Sequence, residues 1–489
     1  MKTKKSVLIL ALLMAVSCFA SACGPKENVS GNGEPCELVW YHRITPTRDV
    51  DLVFSEVSKL TKEKINATVT CIPIANSEYA EKIRMLMASD EKMDLCAAAD
   101  FVNNASDGAY YALDELLKTN GEGILKALPD YAWDAVRING EVYAVPSLKD
   151  WPTHYVMWYY EKYEKKYGFD MQAVKSLQDL EPILQTIKDN EPEITPLATT
   201  ANTPLDIFLP FERISGCKLL GFSKDYSKVI NIYETEEYKE FFDLMRSWYQ
   251  KGFFRTDAAT VKNSQDLIKS NKVFADYGAT IPNFEVSRNY GRPEELHTKF
   301  AYNMSKPVTN TSSLTASVMA IYNKSEHPEK AMDFLNLLFT DKDVINTVVY
   351  GIEGKHYIAV GDNKYRYPEG MTGTSQDDYY FPAAYQGNRF LLRLNEQDPD
   401  DLWDQYRAFN ESSEISPAMG FAFNTEPVMN EITAIQNVYS EYIPSLLVGA
   451  ADPAQYLPQA LEKFKTAGSE KVVAEVQKQY DEWLKTKKK

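Results

Sequence analysis

The sequence predicts an α/β protein of two lobes with an added helical carboxyl-terminal region. Three features predict it. Strand and helix patterns alternate from residue 37 to 99, Pro146 and Pro152 bracket a place where the chain can cross to a second lobe, and the tail carries helical spacing. A β-α-β alternation implies a parallel sheet with helices on its faces. A chain of 489 residues also favours more than one domain.

The elements follow in order. Glu37–Ile44 is a short strand pattern. Val50–Ile65 places Val50, Val53, Phe54, Val57, Leu60 and Ile65 at helical spacing. Ala67–Ile74 reads as a strand, Glu78–Ser89 as a helix with Ile83, Leu86 and Met87 inward, and Met93–Ala99 as a third strand. Leu113–Leu128 is helical, and Asn139-Gly140 between alternating apolar residues marks a hairpin. Helical patterns dominate from Tyr159 to Asn190 and from Glu236 to Lys251. Val273–Tyr277 and Leu314–Tyr322 are strand candidates, the second leading into a helix with Ala331, Phe334, Leu335, Leu338 and Phe339 on one face. In the tail, Val473, Val476, Tyr480, Trp483 and Leu484 form an apolar stripe read as packing.

The amino terminus is a targeting segment. Lys2, Lys4 and Lys5 precede an apolar run from Val7 to Val16, then the small residues Ala20, Ser21 and Ala22. That is the pattern of a secretory signal peptide, too short in its apolar part to span a membrane. Ala20-Ser21-Ala22-Cys23 resembles the bacterial lipobox, which implies lipidation of Cys23; Ala20 stands where Leu is usual. Ala15-Val16-Ser17-Cys18 fits the same pattern but cuts the apolar run short. Residues 24–35 are polar and turn-rich, a tether.

Charge narrows the partners. The net charge is −16, and removing residues 1–22 takes away three lysines and no acids, leaving about −19. Nucleic acid requires a cationic surface, so it is excluded as a partner. Attachment to anionic lipid through protein charge is disfavoured too, which leaves tethering to the lipid on Cys23. Cys36, Cys71, Cys96 and Cys217 have no Cys-x-x-Cys spacing and read as small buried hydrophobes, though a disulfide is possible outside the cytoplasm. The chain has 31 Tyr, 22 Phe and 7 Trp, and Tyr and Trp suit partly wet clefts where sugar faces stack. Its five histidines form no His-Glu-x-x-His, there is no Gly-x-Ser-x-Gly elbow, and Gly351–Lys355 is too short for a P-loop. A carboxylate pair for glycoside hydrolysis is defined by separation in space and has no sequence position. The balance favours binding over turnover.

Several stretches carry a family resemblance: Glu81–Leu95, Ile138–Pro146, Ala331–Asp341 followed by Tyr350–Tyr357, and Ser416–Phe423 through Asp481–Trp483. They resemble extracellular solute-binding protein family 1, the substrate-binding lipoproteins of ABC importers, in particular long Firmicute-type members with an additional carboxyl-terminal domain. Ser89-Asp90-Glu91 departs from the family's usual Ser-Gly-Asp. The resemblance implies a two-lobed periplasmic-binding-protein-like fold of type II with a hinge, a monomer without cofactor or metal, held at the outer face of the cell membrane. It implies capture of a carbohydrate, an oligosaccharide, and delivery to ABC permease subunits. A peptide or polyol in the same cleft, a glycan-acting enzyme and a sensor-coupled receptor stand as alternatives.

The expected layout is a signal peptide at 1–22, lipid attachment and tether at 23–35, lobe one at 36–147 plus about 283–325, and lobe two at 148–282 plus about 326–489. Ligands in open α/β sheets sit beyond the carboxyl ends of strands. That nominates Trp40, Arg43, Asn76, Tyr79 and Asp100 in lobe one, Trp151 at the crossover and Tyr277 in the other lobe. The family-like loop adds Tyr350, Glu353 and His356. Trp40 competes with a core role, Asp100 with a helix cap, and Glu353 and His356 with holding their own loop. Intact mass of the native mature amino terminus is expected to show a diacylglycerol-modified Cys23; an unmodified terminus further along would discard that reading.

Overall fold

Two hydrophobic cores, each assembled from separated stretches of chain, organise the molecule. The computed structural model describes residues 34–487, so the leader and Cys23 lie outside the described residues. The description that follows concerns the unit Cys36–Lys489.

The first core is built on a five-stranded sheet. Strand β1 (Cys36–Arg43) pairs in parallel along its whole length with β2 (Ala67–Ile74), and on its other side with β3 (Leu95–Ala97). Helix α1 (Val50–Ile65) lies between β1 and β2 in sequence and buries Val50, Val53, Phe54 and Val57, as its spacing predicts. Helix α2 (Tyr79–Ala88) precedes β3. Val318–Ile321 joins β3 antiparallel, and Val145–Pro146 closes the edge. The second core holds a four-stranded sheet in the order Thr298–Ala301, Tyr155–Tyr160, Val273–Ala279, Thr195–Leu197. The helices Met429–Leu447, Pro453–Thr466 and Ser469–Lys487 pack onto this core, with Val476 and Tyr480 buried.

The structure corrects several expectations. Tyr155–Tyr160, the run Tyr-Val-Met-Trp-Tyr-Tyr, is a central strand where a helix was expected to begin at Tyr159; aromatic and β-branched residues fit a pleated sheet. The helix expected over Leu113–Leu128 is two, Asp114–Thr119 and Glu122–Ala127, parted at Gly121, where a Cβ would stand 2.9 Å from the Leu117 Cα. Lobe membership also differs. Residues 331–406, expected in the second lobe, pack in the first core, where Phe334 meets Trp40 edge-on at 5.6 Å. Thr298–Ala301, expected in the first, pairs with Tyr155–Tyr160 of the second. Cys71, Cys96 and Cys217 are buried and unbonded, and Cys36 is half-buried and unbonded.

Three stretches of chain cross between the cores and lie side by side. Thr153 and Val308 exchange both backbone hydrogen bonds, at 2.8 and 3.0 Å. Glu414 N donates to Pro307 O at 3.0 Å and Ser416 N to Thr309 O at 2.9 Å. Asn410 locks the first crossing: its Oδ1 accepts from Trp151 N at 3.0 Å and its Nδ2 donates to Lys149 O at 2.7 Å. Trp151 is 3% exposed, and its Nε1 donates to Ser147 O at 2.8 Å. It is a buried wedge of the hinge, not an aromatic floor open to ligand. Replacing a buried Trp by Ala costs about 3–5 kcal/mol. Trp151→Ala is therefore expected to lower the thermal midpoint sharply; an unchanged midpoint would return Trp151 to the cleft.

Candidate functional site

The carboxyl ends of β1 and β3 open into the gap between the lobes, the place where α/β sheets bind ligands. A cavity of about 480 Å³ there takes Arg43, Asp100 and Asn103 from the first lobe and Glu212 and Arg213 from the second. Arg43 Nη2 donates to Ala316 O at 2.9 Å, and its guanidinium stands 5.8 Å from the Tyr385 ring centre. Asp100 sits in left-handed backbone at φ 42° and makes no side-chain cap to its helix; it accepts instead from Asn103 Nδ2 at 2.9 Å. Asn103 Nδ2 also reaches Thr425 Oγ1 across the gap at 3.4 Å.

The facing wall sets two braced charged groups, Glu212 and Arg213, beside Phe222, Phe421 and Phe423. Arg213 pairs with the buried Asp206 and donates to Tyr238 Oη at 2.5 Å. Burial pushes the Asp206 carboxyl up, opposed by the Arg213 charge. For Arg213 burial acts downward most strongly of the single influences, but the Asp206 carboxylate together with Tyr238 and Tyr233 outweighs it and the guanidinium is held charged. Glu212 is raised by burial and accepts from Ser416 Oγ at 2.6 Å and Tyr226 Oη at 3.0 Å, which ties this wall to the third crossing.

A second cavity of about 370 Å³ lies where Phe284 and Ser287 of the second lobe face Tyr350, Tyr380, Trp403 and Tyr406 of the first. Tyr350 and Tyr365 rings are 4.1 Å apart, and burial raises both phenols, so they remain O–H donors. Arg389 lines this cavity, pairs with Asp150, and lies 5.5 Å over Trp403 and 5.0 Å over Tyr406. Among the described residues, its Nε is buried without a hydrogen-bond partner. Aromatic faces interleaved with a few fixed donors suit a polyhydroxylated ring.

The nominated residues separate into three groups. Arg43 and Asp100 come together in the first cavity, and Tyr350 and His356 line the second. His356 is fully engaged, accepting from Ile352 N at Nδ1 (3.0 Å) with Nε2 3.0 Å from Asp49 Oδ2, so it holds its loop. Trp40 is wholly buried against Phe54 and Phe334. Tyr79 Oη bridges Tyr41 O and Ala97 O at 3.1 and 2.8 Å, and Tyr277 Oη bonds Thr199 Oγ1 at 2.5 Å inside the second core. Trp151 is in the hinge, Asn76 is exposed and lines neither cavity, and Glu353 is exposed in a separate groove. Sequence reasoning missed Glu212, Arg213, Arg389, Trp403 and Tyr406. Trp403 and Tyr406 stand three apart on the helix Leu402–Ser412, a spacing that puts both rings on one face. No local pattern marks the others.

The chain is similar to several known proteins. Residues 417–485 match the family described as a domain of unknown function, DUF3502. A carbohydrate ABC transporter substrate-binding protein of Streptococcus pneumoniae serotype 4 is 30% identical over 514 residues, covering 99% of this chain and 99% of that protein. The N-glycan transport solute binding protein NgtS of Streptococcus pneumoniae superposes with a TM-score of 0.81 at 28% identity, over 92% of this chain and 100% of that one. NgtS in complex with Man1GlcNAc and with Man5GlcNAc gives TM-scores of 0.71 and 0.68, again at 28% identity, covering 92% of this chain and 99% of each of those.

Beneath the first cavity, His42 is 1% exposed and held edge-on by Trp40 at 4.6 Å and Phe381 at 4.9 Å. Burial pushes its imidazole down to about 3 from 6.5, with the neighbouring Gln386 amide acting weakly the other way. An unfolded chain protonates His42 near 6.5 while the folded chain does not. The associated stability is therefore complete above about pH 6.5 and is lost as pH falls towards 3. Thermal midpoints measured from pH 7.5 to 4.5 should fall less steeply for His42→Gln than for the wild type; parallel profiles would contradict a buried neutral imidazole.

Proposed function

Because the chain belongs to the carbohydrate ABC transporter substrate-binding proteins, we propose that it seizes an oligosaccharide between its lobes and hands it to a membrane permease. The observation that carries this reading is that both interlobe cavities set aromatic rings beside charged groups, Phe101, Phe222, Phe421 and Phe423 beside Arg43, Asp100, Glu212 and Arg213 in one, and Tyr350, Tyr380 and Trp403 beside Arg389 in the other. Together they offer the two things a sugar chain requires, flat apolar faces for its rings and fixed polar groups for its hydroxyls. Mannose- and N-acetylglucosamine-containing chains are the first class to consider, since NgtS is described in complex with them.

Ligand that touches both lobes shifts an open–closed equilibrium towards closed. The fall in TM-score from 0.81 to 0.71 and 0.68 in the sugar complexes, at constant identity, supports a lobe arrangement that changes with ligand. In this reading Arg43, Asp100, Glu212 and Arg213 bond hydroxyls, while Tyr350, Tyr380 and Trp403 stack on rings. The site requires no reaction and no cofactor. The family acts outside the cytoplasm, and a lipid on Cys23 would retain the chain, a monomer in this reading, at the outer face of the cell membrane.

Thermal-shift and calorimetric screening of the mature chain should use Man1GlcNAc to Man5GlcNAc, fructo-oligosaccharides, polyols and short peptides. Ligand present at a hundred times its Kd adds about 2.7 kcal/mol of apparent stability. A shift with one oligosaccharide series, the sugar being recovered intact after prolonged incubation, is the expected result. Shifts with peptides alone would overturn the sugar assignment, and release of reducing ends would overturn the receptor. Tyr380 lines the second cavity, and Tyr380→Ala is expected to weaken the bound sugar about tenfold, the scale of an interface aromatic; unchanged affinity would remove it from the site.

A further inference from the structure

The first cavity has a narrow annex. A slot of about 20 Å³ shares Arg43, Ala98, Thr315 and Ala316 with it and runs down to His42 and Ser317, with Tyr385 at its side. One water-sized oxygen needs about 10–15 Å³, so the slot admits one or two heavy atoms and excludes a sugar ring. Its lining is half apolar, and two of its polar side chains, His42 and Ser317, are poorly satisfied. Among the described residues, Ser317 Oγ has no hydrogen-bond partner, and neither nitrogen of His42 has one in good geometry, although the Gln386 amide and the Arg43 backbone stand close enough to act on the imidazole. Buried polar side chains are nearly always paired, so orphans converging on one small opening mark a place where an outside group completes them.

The chemistry of that group is restricted. A neutral imidazole offers one N–H donor and one lone pair, and a serine hydroxyl both donates and accepts. The matching partner is a neutral group that also donates and accepts through a single atom. A methyl group would leave the orphans unsatisfied, and a cation would meet Arg43 at the mouth. We propose that the slot is a subsite for one hydroxyl or hydroxymethyl group of the bound oligosaccharide, with His42 and Ser317 as the residues that select for it. This rests on the carbohydrate reading of the cleft. His42 cannot turn away to find another partner, because Trp40 and Phe381 hold its ring. A site built to bond a hydroxyl discriminates strongly against an analogue that lacks it.

The test begins with wild-type titrations using Man1GlcNAc, Man5GlcNAc and a fructo-oligosaccharide. Binding of none overturns the carbohydrate reading and the subsite with it. Given binding, Ser317→Val removes a hydroxyl and fills the slot with methyl groups. It is expected to weaken the sugar at least tenfold with little change in thermal midpoint. One monodeoxy analogue of that sugar should bind wild type and Ser317→Val equally, a pattern that a structural defect does not produce. If Ser317→Val fails to fold, Ser317→Ala and His42→Gln serve in its place. Equal affinity of wild type and variant for the parent sugar overturns the subsite but not the receptor. A crystal of the sugar complex in which the slot holds only water does the same.

Discussion

Three crossing segments held together by main-chain hydrogen bonds are the constraint on which both lobes depend. Thr153 pairs with Val308, and Pro307 and Thr309 accept from Glu414 and Ser416, so stretches far apart in sequence become one narrow ribbon. Each core draws residues from both sides of that ribbon, so neither lobe is a continuous piece of chain. Main-chain bonds in a ribbon permit bending without disturbing side-chain packing at either end. The same ribbon fixes where the two cavities lie, since the walls of the gap start from it. Glu212 reinforces the connection by accepting from Ser416 on the third crossing.

The first lobe was legible because its elements are periodic and consecutive. α1 buries the residues its spacing names, and β1, β2 and β3 follow the alternation that starts at residue 37. The second lobe was harder to read. Its central strand, Tyr155–Tyr160, is rich in aromatic residues on both faces and lacks a clean period of two, and a helix follows it directly at Glu161. Beyond residue 283 lobe membership was legible only in part: Leu314–Tyr322 and the tail helices lie in the expected cores, whereas 298–301 and 331–406 do not. Periodicity shows that the helix Pro328–Thr340 has an apolar face, but which core that face meets is decided by Trp40, nearly three hundred residues earlier.

The site divides in the same way. The rule that ligands sit beyond strand ends found Arg43 and Asp100, because Arg43 ends β1 and Asp100 lies three residues past the end of β3. It also drew in Trp40, Tyr79 and Tyr277, whose side chains turn into the cores. A strand end specifies a place along the sheet and not the direction of each side chain. Arg389, Glu212 and Arg213 come from loops that no period describes, and tertiary contacts alone place them. Trp151 shows the complementary error: an aromatic at a crossover was read as accessible, whereas Asn410, from a helix 259 residues onward, seals it.

The order of the chain has a consequence for how this protein matures. The sheet of the first lobe remains incomplete until Val318–Ile321 joins β3, and the tail helices of the second lobe come last of all. A chain made amino end first therefore has β3 lacking a partner on one side, and neither core closed, until its later segments arrive. Contacts between distant segments form slowly, and unpaired edges invite association with other chains. The folding chain thus passes through an interval with an open sheet edge that lasts until the ribbon closes.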